Sequence, residues 1–330
     1  MLAVEGLSAG FETEAGFREA VDRVSLGVGD RESLGIVGES GCGKSVTALS
    51  VLGLLPQPAG RITGGSIRWK GEDLVRAAEA KIHAVRGREI GMVFQEPMTA
   101  LNPVQPIGRQ IAETLRIHGV AEGEEAENRA RAMLERVEIP SARQRLREYP
   151  HQLSGGMRQR VVIAIALVCE PGLLIADEPT TALDVTTQAQ ILGLLSELKE
   201  SLSMALVLIT HDLGVIAETC DRVVVMYAGR VVESAPVREL FARPLHRYTA
   251  GLLRSIPSLE SPPKSELPTI PGRVPPLGSL PVGARFAPRS DHPRAAEYLS
   301  SREFAEVRPE LVEARPGHWV EDCEFVRTDR

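Results

Sequence analysis

The chain has 330 residues, of which 43% are hydrophobic and 25% are charged, so it is long enough to bury a full core. Its net charge of -6 lacks the basic excess that nucleic-acid binders usually carry, which disfavours a DNA or RNA partner. The four cysteines lack CxxC spacing and so argue against a disulfide framework, and no apolar run approaches the roughly 20 residues that span a bilayer.

Two types of strand pattern occur along the chain. Three early segments alternate loosely between apolar and polar side chains, which predicts an antiparallel β layer. These segments are residues 3–8, 21–28 and 65–69. Four other runs are apolar throughout, as strands buried on both faces are. These runs are residues 33–37, 90–94, 173–176 and 206–210. Because helical stretches separate the apolar runs, the sequence predicts an α/β fold with a mainly parallel core sheet.

The segment GESGCGKS follows the first apolar run and fits the phosphate-binding pattern GxxxxGK[ST]. Its residues are Gly38, Glu39, Ser40, Gly41, Cys42, Gly43, Lys44 and Ser45. Glycines let backbone N–H groups close around phosphates, and the helix-capable run that follows favours negative charge at its N-terminus. In this pattern Lys44 reaches the β- and γ-phosphates and the Ser45 hydroxyl binds Mg²⁺, so we expect an ATP site.

Gln95 directly follows the apolar run at residues 90–94, where it could reach Mg²⁺ and sense the γ-phosphate. In isolation a glutamine there would be an ordinary loop residue. From residue 107 to about 149 the chain becomes Glu- and Arg-rich with a helical period and has no buried-strand run. We therefore expect an inserted helical subdomain at approximately residues 97–154.

The segment LSGGMRQR contains a second potential anion-binding helix start, at Ser154, Gly155 and Gly156. One nucleotide needs only one phosphate loop within a chain. The natural use of this segment is to complete the ATP site of a partner subunit, so that ATP binds between two chains. A capped helix without a ligand is the alternative.

The segment LLIADE is an apolar strand that ends in two carboxylates, Asp177 and Glu178. The carboxyl edge of such a sheet is where α/β proteins bind ligands. We expect Asp177 to hold Mg²⁺ and Glu178 to act as the general base for the attacking water. His211 follows the next apolar run and could touch the γ-phosphate, although an isolated histidine there would more often be a capping residue.

The last part of the chain, residues 256–330, is called the tail below. It is rich in proline, which excludes long helices and central strands there, so we expect a mostly extended tail with a short helix near Ala295. The preceding residues, 1–255, form the expected ATPase domain. No internal repeat is present in the sequence, so we expect one nucleotide-binding unit.

In this order, the phosphate loop, Gln95, LSGGMRQR, LLIADEP, the TALD loop and His211 resemble the ABC ATPase family over about residues 1–255. The resemblance implies an ABC-type P-loop ATPase that works as a dimer. By position it further implies that Phe11 stacks on adenine and that Asp184 of TALD contributes to the nucleotide site. In isolation Phe11 would be a strand core residue.

Longer segments, including QEPMTALNPVQPIGRQIAE and YPHQLSGGMRQRVVIAIAL, are similar to the ATP-binding subunits of dipeptide, oligopeptide and nickel importers. The resemblance implies a second ATPase subunit, related or identical, two membrane permeases and a solute-binding protein. It also implies a peripheral location on the cytoplasmic face of the inner membrane. Residues 95–101 and 148–152 would then contact the permeases.

Several alternatives remain at this point. The cargo could be nickel or another small solute, and export is also compatible with the sequence. A soluble ABC protein of translation or DNA repair, or a regulator that binds ATP without hydrolysis, would share these motifs. A soluble ABC protein of translation or DNA repair usually has two cassettes or a long coiled coil. Intact Glu178 and His211 weigh against a regulator that does not hydrolyse ATP.

In many members of the family that this chain resembles, the tail carries a set of cysteines. It reads like GCxFxPRC, with further cysteines beyond, and can hold an iron–sulfur cluster. Here the corresponding positions are Ala284, Ser290 and a place near Glu297, and only Cys323 remains. Such clusters usually require four thiolates. We therefore expect ATP and Mg²⁺ as ligands and no iron–sulfur cluster.

Overall fold

A computed structural model describes residues 1–95, 100–256 and 268–329 of the chain. In chain order the strands are β1 (Leu2–Thr13), β2 (Gly16–Val28), β3 (Ser33–Val37), β4 (Gly60–Trp69), β5 (Glu72–Asp73), β6 (Ile90–Val93), β7 (Leu173–Asp177), β8 (Ala205–Ile209), β9 (Arg222–Tyr227), β10 (Arg230–Pro236), β11 (Leu311–Arg315) and β12 (His318–Glu321). The α-helices are α1 (Lys44–Val51), α2 (Glu79–Val85), α3 (Ile107–Ile117), α4 (Gly123–Arg136), α5 (Ala142–Arg145), α6 (Gly155–Leu167), α7 (Val185–Leu202), α8 (Leu213–Thr219), α9 (Val237–Ala242), α10 (Arg247–Arg254), α11 (Ala295–Leu299) and α12 (Arg302–Glu306).

The chain forms two compact units that interleave along the sequence. The first unit comprises residues 1, 28–33 and 76–209. The second unit comprises residues 2–27, 34–75 and 210 onwards. The phosphate loop and the described part of the tail therefore belong to the same unit, although they lie at opposite ends of the sequence.

The predicted antiparallel layer is a four-stranded sheet with the strand order β2-β1-β4-β5. β1 and β4 pair from Leu2 opposite Trp69 to Phe11 opposite Gly60. Leu2, Val4, Ile67 and Trp69 are buried, because alternate residues of paired strands point to the same face. The prediction is confirmed, and the strands are longer than the sequence pattern indicated.

The phosphate loop follows β3, whose five residues are all buried. β9 runs parallel to β3, with Leu34 opposite Arg222 and Val37 opposite Val225. β10 returns antiparallel to β9 through Ala228 and Gly229, which both have a positive φ. Two such residues are typical of the type I′ turn that joins hairpin strands.

The tail adds a hairpin to this sheet. β12 pairs antiparallel with β10 and with β11, so that Val320 lies opposite both Glu233 and Val312. The predicted short helix near Ala295 is confirmed as α11. The sequence did not indicate the hairpin, because its strands have only four and five residues and owe their position to pairing with the distant β10.

The first unit contains a parallel sheet formed by β6, β7 and β8. Val93 lies opposite Ala176, and Asp177 lies opposite Ile209. β7 and β8 are buried along their whole length, which explains why their sequences are continuous apolar runs. All four predicted core strands are confirmed, with their bounds correct to within one residue.

The region from residue 107 to 149 is helical, as expected, and contains α3, α4 and α5. Helix α3 buries Ile107, Ile111 and Leu115, which recur every four residues and so form one apolar face. Full burial of such a side chain contributes about 1.5–3 kcal/mol. The expected bounds of the helical subdomain, 97–154, remain a prediction, and residues 96–99 lie outside the described part of the chain.

The expected division into residues 1–255 and 256–330 also remains a prediction, because residues 257–267 lie outside the described part. Three of the tail prolines, Pro257, Pro262 and Pro263, are among them. Within the described ranges, none of the helices has the length and hydropathy needed to cross a bilayer.

Candidate functional site

The loop between β3 and α1 has backbone angles that require glycine. Gly41 and Gly43 have φ values of 79° and 100°, which glycine adopts without strain. A Cβ atom at Gly38 would lie 2.1 Å from the carbonyl oxygen of Met226. Helix α1 begins directly after Gly43, its N-cap residue. A close-fitting loop that leads into a helix N-terminus is suited to binding an anion.

Lys44 lies inside this loop with 5% of its surface exposed. Its Nζ donates hydrogen bonds to the carbonyl oxygens of Gly38 at 2.7 Å and Glu39 at 3.2 Å. Ser45 follows in the first turn of α1. The Cys42 thiol is buried, and this burial raises its pKa, so it packs as a neutral group. A glycine loop, a lysine and a hydroxyl are the groups that Mg²⁺-bound ATP requires, and the residues fit this ligand.

Two further predicted residues lie in the same unit as the loop. Phe11 is half-buried near the end of β1. His211 is exposed, and the preceding residue, Thr210, donates its backbone N–H to the carbonyl oxygen of Ile36 at 3.2 Å. His211 therefore emerges at the end of β3 that leads into the phosphate loop. Asp212, rather than His211, caps α8.

Glu178 and Gln95 meet at the carboxyl edge of the parallel sheet in the first unit. The Glu178 carboxylate accepts hydrogen bonds from Gln95 Nε2 at 3.1 Å and Thr181 Oγ1 at 3.0 Å. Glu178 has a φ of 46°, and its N–H donates to the carbonyl oxygen of Ile209. A left-handed glutamate costs about 1–3 kcal/mol, and such strain concentrates at functional sites.

Asp177 is the last residue of β7, and 4% of its surface is exposed. The predicted magnesium ligands, Ser45, Gln95 and Asp177, all offer oxygen atoms, the donor type that Mg²⁺ prefers. By this chemistry the residues fit the ion.

The segment at Ser154 begins helix α6. Ser154 is the N-cap residue, and its Oγ accepts a hydrogen bond from the Met157 N–H at 3.3 Å. Ser154 and Gly155 are exposed, so this helix N-terminus is accessible from solvent in the single chain. A Cβ atom at Gly156 would lie 2.7 Å from Thr187 Cγ2, which explains the need for glycine at this position.

Asp184 is the N-cap residue of α7. Its carboxylate accepts hydrogen bonds from Thr187 N at 3.0 Å and Thr187 Oγ1 at 2.7 Å. These bonds lower the pKa of Asp184. Since Gly156 approaches the same threonine, the structure brings the start of α6 and Asp184 together within the first unit.

The four tail positions considered for a cluster do not offer four thiolates. Ala284 is buried and has no donor atom, and Ser290 Oγ donates to the carbonyl oxygen of Phe325 at 2.5 Å. Glu297 is exposed and pairs with Arg294 at 2.8 Å. Burial raises the pKa of the Cys323 thiol to about 11. These residues do not fit an iron–sulfur cluster.

Three residues outside the predicted set contact predicted ones. Thr181 donates to Glu178 from only three positions further along the chain. Tyr248 and Arg289 bind Glu39 across 209 and 250 residues of sequence. Thr181 lies close enough to the predicted base in sequence to have been considered, whereas no local pattern links Glu39 to Tyr248 or to Arg289 in the tail.

Two family models match the chain. Residues 21–181 match the model described as ABC transporter, and residues 232–296 match the C-terminal region of oligopeptide/dipeptide transporters. A Brucella abortus (strain 2308) protein, named as a peptide import ATP-binding protein, is 54% identical over 296 residues, which are 90% of this chain and 89% of that protein. A Sinorhizobium fredii protein, named as a peptide ABC transporter ATP-binding protein, is 51% identical over 96% of this chain and 93% of its own length.

Solved structures show the same fold. The dimeric ATP-binding cassette MJ0796 with ADP and phosphate has a TM-score of 0.64 at 28% identity, over 72% of this chain and 99% of its own. The CbiO1 protein from Clostridium perfringens, part of the cbiONQ transporter complex, has a TM-score of 0.62 at 28% identity, over 73% of this chain and 90% of its own. These similarities confirm the predicted fold class.

Proposed function

This chain belongs to the ATP-binding subunits of ABC transporters, and we propose that it hydrolyses ATP to drive the import of dipeptides or oligopeptides. The observation that carries the proposal is the 54% identity, over 296 residues, to a protein named for peptide import. In addition, residues 232–296 match the family model for the C-terminal region of oligopeptide/dipeptide transporters. The cassette MJ0796 aligns over 99% of its own length but over only 72% of this chain. The remaining part of this chain therefore has no counterpart in that cassette.

In the proposed reaction, Glu178 orients and deprotonates the water that attacks the γ-phosphate. The hydrogen bond from Gln95 Nε2 supports this role, because it restricts the orientation of the carboxylate. Lys44 offsets the charge of the β- and γ-phosphates, and His211 contacts the γ-phosphate. Bound Mg²⁺ would neutralise charge that develops on the phosphate oxygens, with Ser45, Gln95 and Asp177 as its ligands.

The remaining nucleotide contacts are assigned by chemistry and sequence order. The backbone of residues 38–45 surrounds the phosphates, and Phe11 stacks on adenine. Asp184 contributes from the loop that precedes α7. Support for the phosphate contact comes from the glycine backbone angles and from the position of Lys44 inside the loop.

A second ATPase subunit completes the proposed site. Ser154, Gly155 and Gly156 would bind the ATP held by the partner, which is either a related chain or a second copy. The exposed N-terminus of α6 and the dimeric state of the similar cassette MJ0796 support this arrangement. Hydrolysis would then separate the subunits, because ATP and ADP differ in their affinity for the closed state.

The other proposed partners are two permeases and, through them, an extracytoplasmic solute-binding protein, with no nucleic acid. The chain would lie peripherally on the cytoplasmic face of the inner membrane. Residues 148–152 would contact the permeases; there the Tyr149 and His151 rings stack with centroids 5.8 Å apart. The second expected contact, residues 95–101, includes residues 96–99, which lie outside the described part. We propose no iron–sulfur cluster, because the tail positions lack its ligands.

The first test of this proposal is uptake by cells that carry Lys44→Ala in this protein. Labelled dipeptide and labelled nickel are supplied in parallel. Because Lys44 neutralises the transferred phosphate, we expect dipeptide uptake to be lost while nickel uptake is unchanged. The matched control is Lys81→Ala, which removes a lysine from helix α2 and should retain dipeptide uptake.

Loss of nickel uptake alone would assign the chain to metal import. If neither uptake changed, another cargo or a role outside transport would replace the proposed function.

A further inference from the structure

Glu39, the second residue of the phosphate loop, is held at each of its polar groups. Its backbone N–H donates to Tyr248 Oη at 2.8 Å. Its carbonyl oxygen accepts from Lys44 Nζ at 3.2 Å. Its carboxylate accepts two hydrogen bonds from Arg289, Nη1 to Oε2 at 2.5 Å and Nη2 to Oε1 at 3.0 Å. Two of these three groups are therefore bound by residues outside the loop.

Arg289 is itself rigidly placed within the tail. Only 5% of its side chain is exposed, and Nε donates to the carbonyl oxygen of Pro271 at 2.7 Å. Nη1 also donates to Tyr227 Oη at 3.3 Å. A bidentate arginine–carboxylate pair fixes direction as well as distance, which a lysine cannot do. The position of Arg289 thus determines where the Glu39 carboxylate lies.

Aromatic rings support both contacts to Glu39. The rings of Tyr227 and Tyr248 pack edge to face with centroids 4.8 Å apart, and Phe286 lies 5.3 Å from each. Tyr227 and Tyr248 have no exposed surface, and Phe286 is buried. The groups that hold Glu39 therefore stand on a packed core that includes the tail.

The amino-acid sequence of the phosphate loop does little to restrict its backbone conformation. Gly38, Gly41 and Gly43 allow backbone angles that other residues rarely adopt, and this freedom makes the ordering of the loop entropically costly. Contacts that hold a loop in its binding conformation before the ligand arrives increase affinity by reducing this cost. The Arg289–Glu39 pair is such a contact, and it joins the tail to the ATP site.

We propose that Arg289 is a positioning residue for ATP: through Glu39, the tail holds the phosphate loop in the conformation that binds nucleotide. This inference rests on the proposed function, because it states that Arg289 increases the affinity of the same site for ATP. It also gives the tail a role that requires no bound metal.

The test compares four full-length variants with the wild-type protein: Arg289→Ala, Arg289→Lys, Glu39→Gln and the double variant Glu39→Gln/Arg289→Ala. The matched control is Arg294→Ala, which removes a tail arginine that is 58% exposed and pairs with Glu297. The dissociation constant of Mg²⁺–ATP is measured by titration calorimetry, and KM and kcat by steady-state ATP hydrolysis. Thermal unfolding of each variant is recorded in parallel.

We expect Arg289→Ala and Glu39→Gln each to weaken ATP binding by about tenfold, the loss typical of a hydrogen bond to a charged group. KM should rise by a similar factor while kcat at saturating ATP changes by less than about twofold, because the pair acts on binding. The double variant should bind no more weakly than either single variant, since both remove one contact. Arg289→Lys should be intermediate, and Arg294→Ala should match the wild type.

Several results would overturn the inference. If the wild type binds ATP and both single variants bind it equally well, the pair does not position the loop, although the proposed function stands. If Arg289→Ala weakens binding and Glu39→Gln does not, the arginine does not act through Glu39, and general loss of tail packing would account for the effect. If the wild-type protein binds no ATP, the proposed function fails and the inference with it.

Discussion

At the scale of single residues, the structure shows how the proposed base is oriented. Gln95 and Thr181 both donate to the same carboxylate oxygen of Glu178. Two donors to one oxygen restrict rotation of the carboxylate. Orientation of this kind is a general requirement for a side chain that abstracts a proton.

The first prediction concerns this carboxylate. Glu178→Gln keeps the size of the side chain but removes its negative charge, so it should lower kcat for ATP hydrolysis by about 10²-fold or more. ATP binding should be retained, because the phosphate loop is unchanged. Steady-state hydrolysis and ATP titration measure the two quantities.

Glu170→Gln is the matched control, because Glu170 also has a positive φ, of 50°, and lies on the surface, where it pairs with Arg136. Its variant should hydrolyse ATP at the wild-type rate. Equal activity of Glu178→Gln and wild type would contradict the assignment of the base.

At the scale of elements, two helical glycines differ in what surrounds them. A Cβ atom at Gly156, in the first turn of α6, would lie 2.7 Å from Thr187 Cγ2. A Cβ atom at Gly193, inside α7, would have no heavy atom within 4 Å. The glycine of α6 is therefore required by packing, whereas that of α7 only lowers the stability of its helix.

The second prediction follows from this difference. Gly193→Ala should raise the free energy of unfolding by about 0.5–1 kcal/mol, because alanine restricts the unfolded chain and favours the helix. Gly156→Ala should lower the free energy of unfolding and reduce ATP turnover, because the start of α6 must move away from Thr187. Urea denaturation and ATP hydrolysis test the pair, and a stabilising Gly156→Ala would contradict the packing argument.

At the scale of the whole second unit, one buried carboxylate joins distant parts of the chain. Asp22, on β2, accepts from Arg230 Nε at 2.8 Å and Arg285 Nη2 at 2.7 Å, and pairs with Arg308 at 3.2 Å. Burial alone would raise the pKa of Asp22, but these arginines outweigh it and lower the pKa. Burial, together with the charge of Arg230, lowers the pKa of Arg285 to about 10, although Asp22 opposes this shift.

The third prediction concerns the removal of this charge. Asp22→Asn leaves buried arginines without a counter-charge and should lower the free energy of unfolding by about 3–5 kcal/mol near pH 7. Because the folded-state pKa of Asp22 lies below its ordinary value of 3.8, its contribution is fully present above that value. It is lost as the pH falls through the folded-state pKa, so the wild type and variant should converge in strong acid.

Asp291→Asn is the control for this cluster. Asp291 also pairs with two arginines, Arg247 and Arg254, but its side chain is 53% exposed. Solvent screens such pairs, and the variant should lose less than about 1 kcal/mol. Urea denaturation at several pH values tests both variants, and an equal loss for the two aspartates would contradict the role assigned to burial.

Much of the fold and several parts of the site were predictable from local patterns. The four core strands are continuous apolar runs because both of their faces are buried, and residues 38–45 are recognisable because glycine is required at fixed spacing. The hydrogen bond between Gln95 and Glu178 was not predictable in detail. It depends on the pairing of β6 with β7, which brings together residues 83 positions apart.

The sequence by itself predicted the four buried core strands, the antiparallel β layer and the glycine pattern of residues 38–45, and it offered Lys44, Glu178 and Ser154 as candidate site residues. These features follow from periodicity, glycine spacing and side-chain type, which act over a few residues. Only the tertiary structure decided that the tail forms a hairpin on β10 and that Arg289 binds Glu39. The Arg289–Glu39 pair joins residues 250 positions apart, and the hairpin pairs Val320 with the distant Glu233. An arginine carries no local signal of which carboxylate it will meet.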